Sequence, residues 1–241
     1  MNDTGMSLDK KRVVVIGGTS GIGFAIAKLA QSIGADVVVA SSNAKNVEAA
    51  IKRLPGAEGE PVDLRNEDNV SRFFDKIGPF DHLAVTAGDW NMSLHTATQD
   101  VDLVASRDIF AVRFWGAIAA VKHGVRVIRE QGSITLTSGM VAHRPMKNRP
   151  LAAAGGGAME FLARGLAVDL APTRVNVVCP GLILTEPVQK MPQERLQAIV
   201  AQLPIPRAAT PEEAAMAYVY AMVNRYVTGQ VLQVDGGGSL I

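Results

Sequence analysis

A β-branched run that ends in glycines constrains this chain more than any other feature. Val13-Val14-Val15-Ile16 leads directly into Gly17-Gly18-Thr19-Ser20-Gly21-Ile22-Gly23, and an apolar helical pattern follows from Ile22 to Ile33, closed by Gly34. A short, continuously apolar strand is what a parallel sheet buried on both faces requires. Glycines at the strand-to-helix turn permit a tight bend, let the backbone approach a pyrophosphate and let the helix pack closely on the sheet. The helix start adds unpaired N–H groups and a positive partial charge. A glycine turn without a ligand is the alternative reading; its place in the first strand–helix unit favours a phosphate site.

The same alternation continues along the chain. Val37-Val38-Val39-Ala40 reads as a second strand, and Val47 to Leu54 as a helix stopped by Pro55-Gly56. Pro61-Val62-Asp63 ends a third strand, Val70 to Ile77 is helical, and His82 to Thr86 is a fourth strand. The apolar periodicity from Val101 to Arg129 predicts one extended helix. Ser133–Thr137 and Val175–Val178 predict strands on either side of a helix over Ala152–Leu170. Thr210 followed by Pro211 marks the N-cap and first position of a late helix, and Val231–Val234 is the last strand. Alternating strands and helices with right-handed crossovers make an α/β fold, a doubly wound parallel sheet flanked by helices. At 241 residues the chain fits a single domain over 1–241.

Composition excludes several functions. The 24 basic and 23 acidic side chains leave a net charge of +1, so there is no electrostatic footprint for nucleic acid or an anionic membrane. No apolar run approaches the roughly 20 residues that span a bilayer, and the polar Met1–Lys11 start lacks the apolar region of a signal peptide. The lone Cys179 leaves no internal disulfide and fits a reducing compartment, so a cytoplasmic protein is expected. No metal site is expected.

Five motifs then occur in a telling order. They are Gly17-x-x-x-Gly21-x-Gly23, Asp63-Leu64 after strand three, Ala87-Gly88 after strand four and its last residue Thr86, Pro180-Gly181-x-x-x-Thr185 after strand six, and Val227-Thr228-Gly229 leading to Val234-Asp235-Gly236-Gly237. Over nearly the whole chain this resembles the short-chain dehydrogenase/reductase family. The resemblance implies a Rossmann-type NAD(P)-dependent oxidoreductase, a small-molecule substrate, and a homodimer or homotetramer built on two long helices. It implies that Asp63 binds the adenine amino group beside Leu64 and that Ala87-Gly88 lets the ribose approach the backbone. Thr185, following Ile183, would meet the pyrophosphate or the nicotinamide amide, unless it merely caps a loop. Residues 182–210 resemble the family's substrate lid, with Met191, Leu196, Ile199, Val200 and Leu203 on one apolar helical face.

The end of strand two bears on the choice of cofactor. A carboxylate there would bind the ribose 2′-hydroxyl and repel a 2′-phosphate. This chain has Ser41-Ser42-Asn43 and Lys45, four groups able to donate to a phosphate, which favours NADP(H) over NAD(H). NADP users in the family often carry arginine at the positions of Ser20 or Ser42, where this chain has serine. The alternative is that these residues cap the next helix.

The family's proton-transfer residues are missing. Aligned by Ala171-Pro172 and Glu160-Phe161, the helix puts Ala152 at the family's tyrosine position and Gly156 at its lysine position. The spacing back puts Gly139 at the serine position with Ser138 one residue earlier, and Val112-Arg113-Phe114-Trp115-Gly116 puts Arg113 where asparagine would stand. Neither alanine nor glycine moves a proton, and losing a positioned general acid typically costs about 10²–10⁴-fold. Arg113 is a candidate replacement cation, reaching into the space that Ala152, Gly155, Gly156 and Gly157 leave. As a permanent cation it cannot give up a proton. The alternative is a solvated helix face or an oligomer salt bridge. Ser138 could still orient a carbonyl, and His143 is the candidate acid, its ordinary pKa lying near 6.5; a loop histidine among basic residues is more often simply exposed. Asp89-Trp90 could line the pocket, and Cys179 reads as a small buried hydrophobe. The three glycines predict a helix that starts late or is mobile up to Gly157.

Three readings follow: an NADP(H)-dependent oxidoreductase with a rebuilt site acting on a small carbonyl, imine or activated alkene; a catalytically silent NADP(H)-binding sensor or regulatory protein; and a scaffold kept for assembly. The glycine motif, Asp63, Thr185 and the apolar lid argue against the last.

Overall fold

A computed structural model describes residues 7–88, 96–107 and 110–241; Asp89-Trp90 lies outside them. Seven parallel strands form the sheet: β1 (Arg12–Ile16), β2 (Asp36–Ser41), β3 (Glu58–Pro61), β4 (Phe80–Val85), β5 (Ile128–Thr137), β6 (Arg174–Pro180) and β7 (Val231–Val234), in the order β3-β2-β1-β4-β5-β6-β7. The helices are α1 (Gly21–Ser32), α2 (Ala44–Arg53), α3 (Glu67–Ile77), α4 (Leu103–Arg107), α5 (Ala117–Gly124), α6 (Pro150–Asp169), α7 (Glu186–Gln189), α8 (Gln193–Val200) and α9 (Pro211–Val223). The chain moves outward from β1 through β3, then returns to place β4 on the other side of β1, opening a crevice at the carboxyl ends of those two strands. No helix among the described residues is long and apolar enough to cross a membrane.

Period-two alternation splits the central strands between two cores. Val14 and Ile16 face the layer built by Phe73 and Phe74 of α3, Ala117 and Val121 of α5, and Met159 and Ala163 of α6. Val13 and Val15 face Ala27 and Ala30 of α1 and Tyr218 and Met222 of α9. Burying each of these valines contributes about 1.5–3 kcal/mol, so truncating one removes support from the layer it faces. Asn43 and Asn66 cap α2 and α3, and Thr210 with Glu213 forms a reciprocal capping box on α9, with Pro211 at its first position.

Two helix expectations need correction. Val101–Arg129 is not one extended helix. It is divided into α4, a π-helical turn at Ala111–Gly116 and α5, which ends at Gly124; the chain enters β5 at Ile128. The apolar run Val125, Val127 and Ile128 serves a turn and a strand instead. β5 itself carries an irregularity after Phe80↔Ile128, with Gln131 at φ 62°. Nor does α6 start late: Pro150 at its first turn begins a continuous helix that runs through Gly155, Gly156 and Gly157. Gly155 and Gly156 are buried, Gly155 toward Phe110 and Gly156 toward Ala142 and Gly139. Packing outweighs the propensity cost of about 1 kcal/mol for each glycine.

Candidate functional site

The glycine turn is dictated by how closely three segments meet. Gly17 and Gly21 have φ of 90° and 50°, and a Cβ on Gly23 would fall 2.2 Å from the Gly17 carbonyl oxygen. A Cβ on Gly17 would fall 2.6 Å from Oγ1 of Thr86, whose hydroxyl donates to the Ile16 carbonyl. Thr86 therefore secures β1 to β4 beneath the turn. Ser20 is the N-cap of α1, yet its hydroxyl makes no cap hydrogen bond, and the first turn holds no acidic residue. Thr19, Ser20 and Ile22 thus edge a helix N-terminus that offers a donor hydroxyl and backbone N–H groups to an anion.

The other expected cofactor residues gather around this turn. Ser41 ends β2, and Ser42, Asn43 and Lys45 follow on an exposed corner without a carboxylate. Asn43 Oδ1 accepts from the Lys45 and Asn46 backbone N–H groups, so it caps α2 and only its amide nitrogen remains to donate. Asp63 accepts from the Arg65 backbone N–H while Leu64 is buried against Gly116, where a Cβ would lie 2.7 Å from Leu64 Cβ. Ala87 and Gly88 continue from Thr86. At Gly181, after Pro180, a Cβ would lie 2.6 Å from Asp235 Cα. Ile183 is buried and bridges to Ala209, tying the two ends of the lid together. Thr185 comes back over the first turn, its methyl 3.1 Å from where a Gly21 Cβ would stand. The geometry fits a dinucleotide: a cradle that side chains would fill, an open helix N-terminus, and a lid root that crosses it.

Arg113 does not enter the glycine space of α6. Its guanidinium lies over Gly88, where a Cβ would fall 2.6 Å from Nη2 and 2.9 Å from Cζ. The π-helical turn carries it to the end of β4. Its charge is felt by Tyr218, whose fully buried phenol shares a 2.7 Å hydrogen bond with Thr137 Oγ1, which in turn donates to the Val85 carbonyl. Tyr218, distant along the chain, is thus brought to the residue that precedes Ser138.

Ser138 and His143 belong to a second cluster. The Ser138 hydroxyl donates to Glu160 Oε1 at 2.9 Å, and His143 Nε2 lies 2.9 Å from the same oxygen. His143 is therefore not a simple solvated loop residue, although its side chain is 32% exposed. Ser138 points its proton at Glu160. Cys179, buried as expected, completes the group, and burial pushes its thiol up to about 12, with Ser138 opposing and the Glu160 and Asp235 charges adding. Glu160 was missed as a site residue in the sequence. Its signal was a carboxylate in an otherwise apolar stretch, Leu151–Ala163, of α6.

Comparisons with known proteins agree with this architecture. Residues 17–239 match the family model described as enoyl-(acyl carrier protein) reductase. The chain is 35% identical over 247 residues to short-chain dehydrogenase/reductase ATR9 of Stachybotrys chlorohalonatus, covering 95% of this chain and 96% of that one. A solved small-chain dehydrogenase in complex with NADPH is 39% identical, with a TM-score of 0.83 over 97% of this chain and all of the other. The MalC reductase/Diels-Alderase structure from Malbranchea aurantiaca is 31% identical, with a TM-score of 0.91 over 98% of this chain and 100% of that one. With its seven-stranded parallel sheet and glycine turn, this chain belongs to the short-chain dehydrogenase/reductase family.

Proposed function

We propose that the chain is an NADP(H)-dependent oxidoreductase with a non-standard proton-transfer site, acting on a small carbonyl, imine or activated alkene. The observation that carries this reading is the guanidinium of Arg113 over Gly88, at the carboxyl end of β4 and beside the glycine turn. When bound, the nicotinamide cofactor supplies or accepts the hydride. Ser20, Gly21, Ile22 and Gly23 hold the pyrophosphate at the start of α1, and Asp63 holds the adenine end. Ser41, Ser42, Asn43 and Lys45 take the 2′-phosphate, with no carboxylate on that corner to repel it. Thr185 closes over Gly21 from the lid.

Arg113 either holds the nicotinamide ribose or polarises a substrate oxygen. It does not donate the acid proton. With Ala152 and Gly156 in place of a phenol and an amine, an iminium or a polarised alkene needs less acid assistance than a ketone. The enoyl reductase description of the family model and the reductase activity of MalC are in line with such substrates. Orientation alone lowers a barrier substantially, which keeps turnover within reach of a site without the phenol. The family and the fold also support a homo-oligomer.

Isothermal titration with NADPH and NADH, followed by NADPH oxidation against an aldehyde, a cyclic iminium and an α,β-unsaturated thioester, tests the reading. Tight NADPH binding with turnover of the iminium or alkene is the expected result. NADPH binding with no turnover of any class transfers the chain to the silent, sensor-like alternative. Binding of neither nucleotide overturns both.

A further inference from the structure

We infer that His143, Glu160 and Cys179 form a zinc-binding site in which a fourth coordination position opens to solvent. Imidazole nitrogen, carboxylate oxygen and thiolate sulfur are the donor types that zinc takes in proteins, and three protein ligands with one exchangeable position is its open, reactive form. The three donor atoms lie within 4.8 Å of one another. A tetrahedral ion with bonds of about 2.0–2.3 Å holds its ligand atoms about 3.3–3.8 Å apart, so side-chain adjustments complete the triangle. The inference stands on this cluster and not on the nucleotide reading.

The ligands come from three separate segments of the chain. Cys179 is the penultimate residue of β6, Glu160 sits in the middle of α6, and His143 follows the short 3₁₀ turn Met140–Ala142. Glu160 and Cys179 are only 5% and 1% exposed, whereas His143 reaches solvent and provides the entry path. A buried carboxylate is costly without a compensating charge, and a divalent ion supplies it without a proton on His143. Ser138, donating to Glu160 Oε1, orients that ligand. The spacing 143, 160, 179 matches no metal motif along the chain, which is why the sequence predicts no metal.

The Cys179 S–H bond breaks, its proton leaves to solvent and the sulfur lone pair goes to the ion. The His143 Nε2–H that faces Glu160 gives up its proton while Nδ1 takes one from solvent, which leaves the neutral imidazole an Nε2 lone pair for the ion. The carboxylate gives the ion a lone pair while Oε1 keeps the Ser138 hydrogen bond. No electron is transferred.

The test is titration of the full-length, chelator-treated protein with Co²⁺ and then Zn²⁺. One equivalent of Co²⁺ is expected to produce a near-ultraviolet sulfur-to-cobalt charge-transfer band that Zn²⁺ abolishes by displacement. Cys179→Ser, which preserves the side-chain shape, should remove the band. Glu160→Gln and His143→Ala should each weaken binding by at least about 10–100-fold, and Ser138→Ala should do so to a smaller extent. Circular dichroism of each variant confirms the fold, so a lost band reports the ligand. Absence of the band in the folded parent protein, or a band and affinity unchanged in Cys179→Ser, overturns the site.

Discussion

The guanidinium of Arg113 occupies the space above Gly88, so that a methyl at residue 88 would meet Nη2 at 2.6 Å. A cation is thereby held at the carboxyl end of β4, and the glycine is required by that cation as much as by any cofactor. Charge-assisted hydrogen bonds are worth about 1.5–3 kcal/mol. Arg113→Ala should therefore lower NADPH affinity or kcat/KM by about 10–100-fold, and Arg113→Lys should recover only part, because a point charge does not reproduce the planar fork. Gly88→Ala should displace the guanidinium and act in the same direction. Nucleotide titration and steady-state kinetics decide this; unaltered constants in Arg113→Ala would sink the role.

The corner after β2 makes a separate prediction. Ser42 is exposed and follows Ser41, the last residue of the strand. Ser42→Asp places a carboxylate where it accepts from a ribose 2′-hydroxyl and repels a 2′-phosphate. NADPH binding should weaken by about 10–100-fold while NADH binding holds or improves, a difference near 1.4–2.8 kcal/mol. Equal loss for both nucleotides would show that the corner acts only as a helix cap.

Much of this arrangement was legible before folding, and the exceptions have physical causes. The strands and the glycine turn are short-range patterns: period, β-branching and glycine placement each act within a few residues. The split of Val101–Arg129 was hidden because a π turn and a strand entry both keep apolar residues in phase with a helix for a stretch. The continuous α6 was hidden because helix propensity penalises Gly155–Gly157, whereas burial toward Phe110 and Ala142 decides the outcome. The Glu160–His143 and Tyr218–Thr137 pairs join residues 17 and 81 positions apart. Only the crossover topology brings them together, and no local spacing records it.

The outer face of α6 bears on assembly. Phe161 and Val168 are seven residues apart, two helical turns on one face, and are 70% and 82% exposed. Arg164 lies over the Phe161 ring and covers only part of it. Trp115, on the turn before α5, is exposed as well. If two copies associate through these helices, as the family resemblance implies, Phe161→Asp with Val168→Asp should yield a monomer in analytical ultracentrifugation. A parent protein that already sediments as a monomer would rule this interface out.

His82 couples the fold to pH. It lies in the middle of β4, 4% exposed, with Nδ1 2.9 Å from Ser133 Oγ. Burial lowers its pKa to about 4, opposed by the Asp81 charge and assisted by Arg174 and Lys11. In the unfolded chain the imidazole takes up a proton near pH 6.5, whereas the folded chain resists it down to about 4. Between those values the unfolded state binds more protons, so stability falls as pH falls, and the loss is complete below the folded pKa. The shift corresponds to about 3 kcal/mol. Urea unfolding of the parent and of His82→Asn from pH 7.5 to 4 isolates this contribution from the carboxylates, which both proteins share. The parent should lose about 3 kcal/mol more than the variant across that window, and parallel profiles would mean that His82 is protonated at its ordinary pKa within the fold.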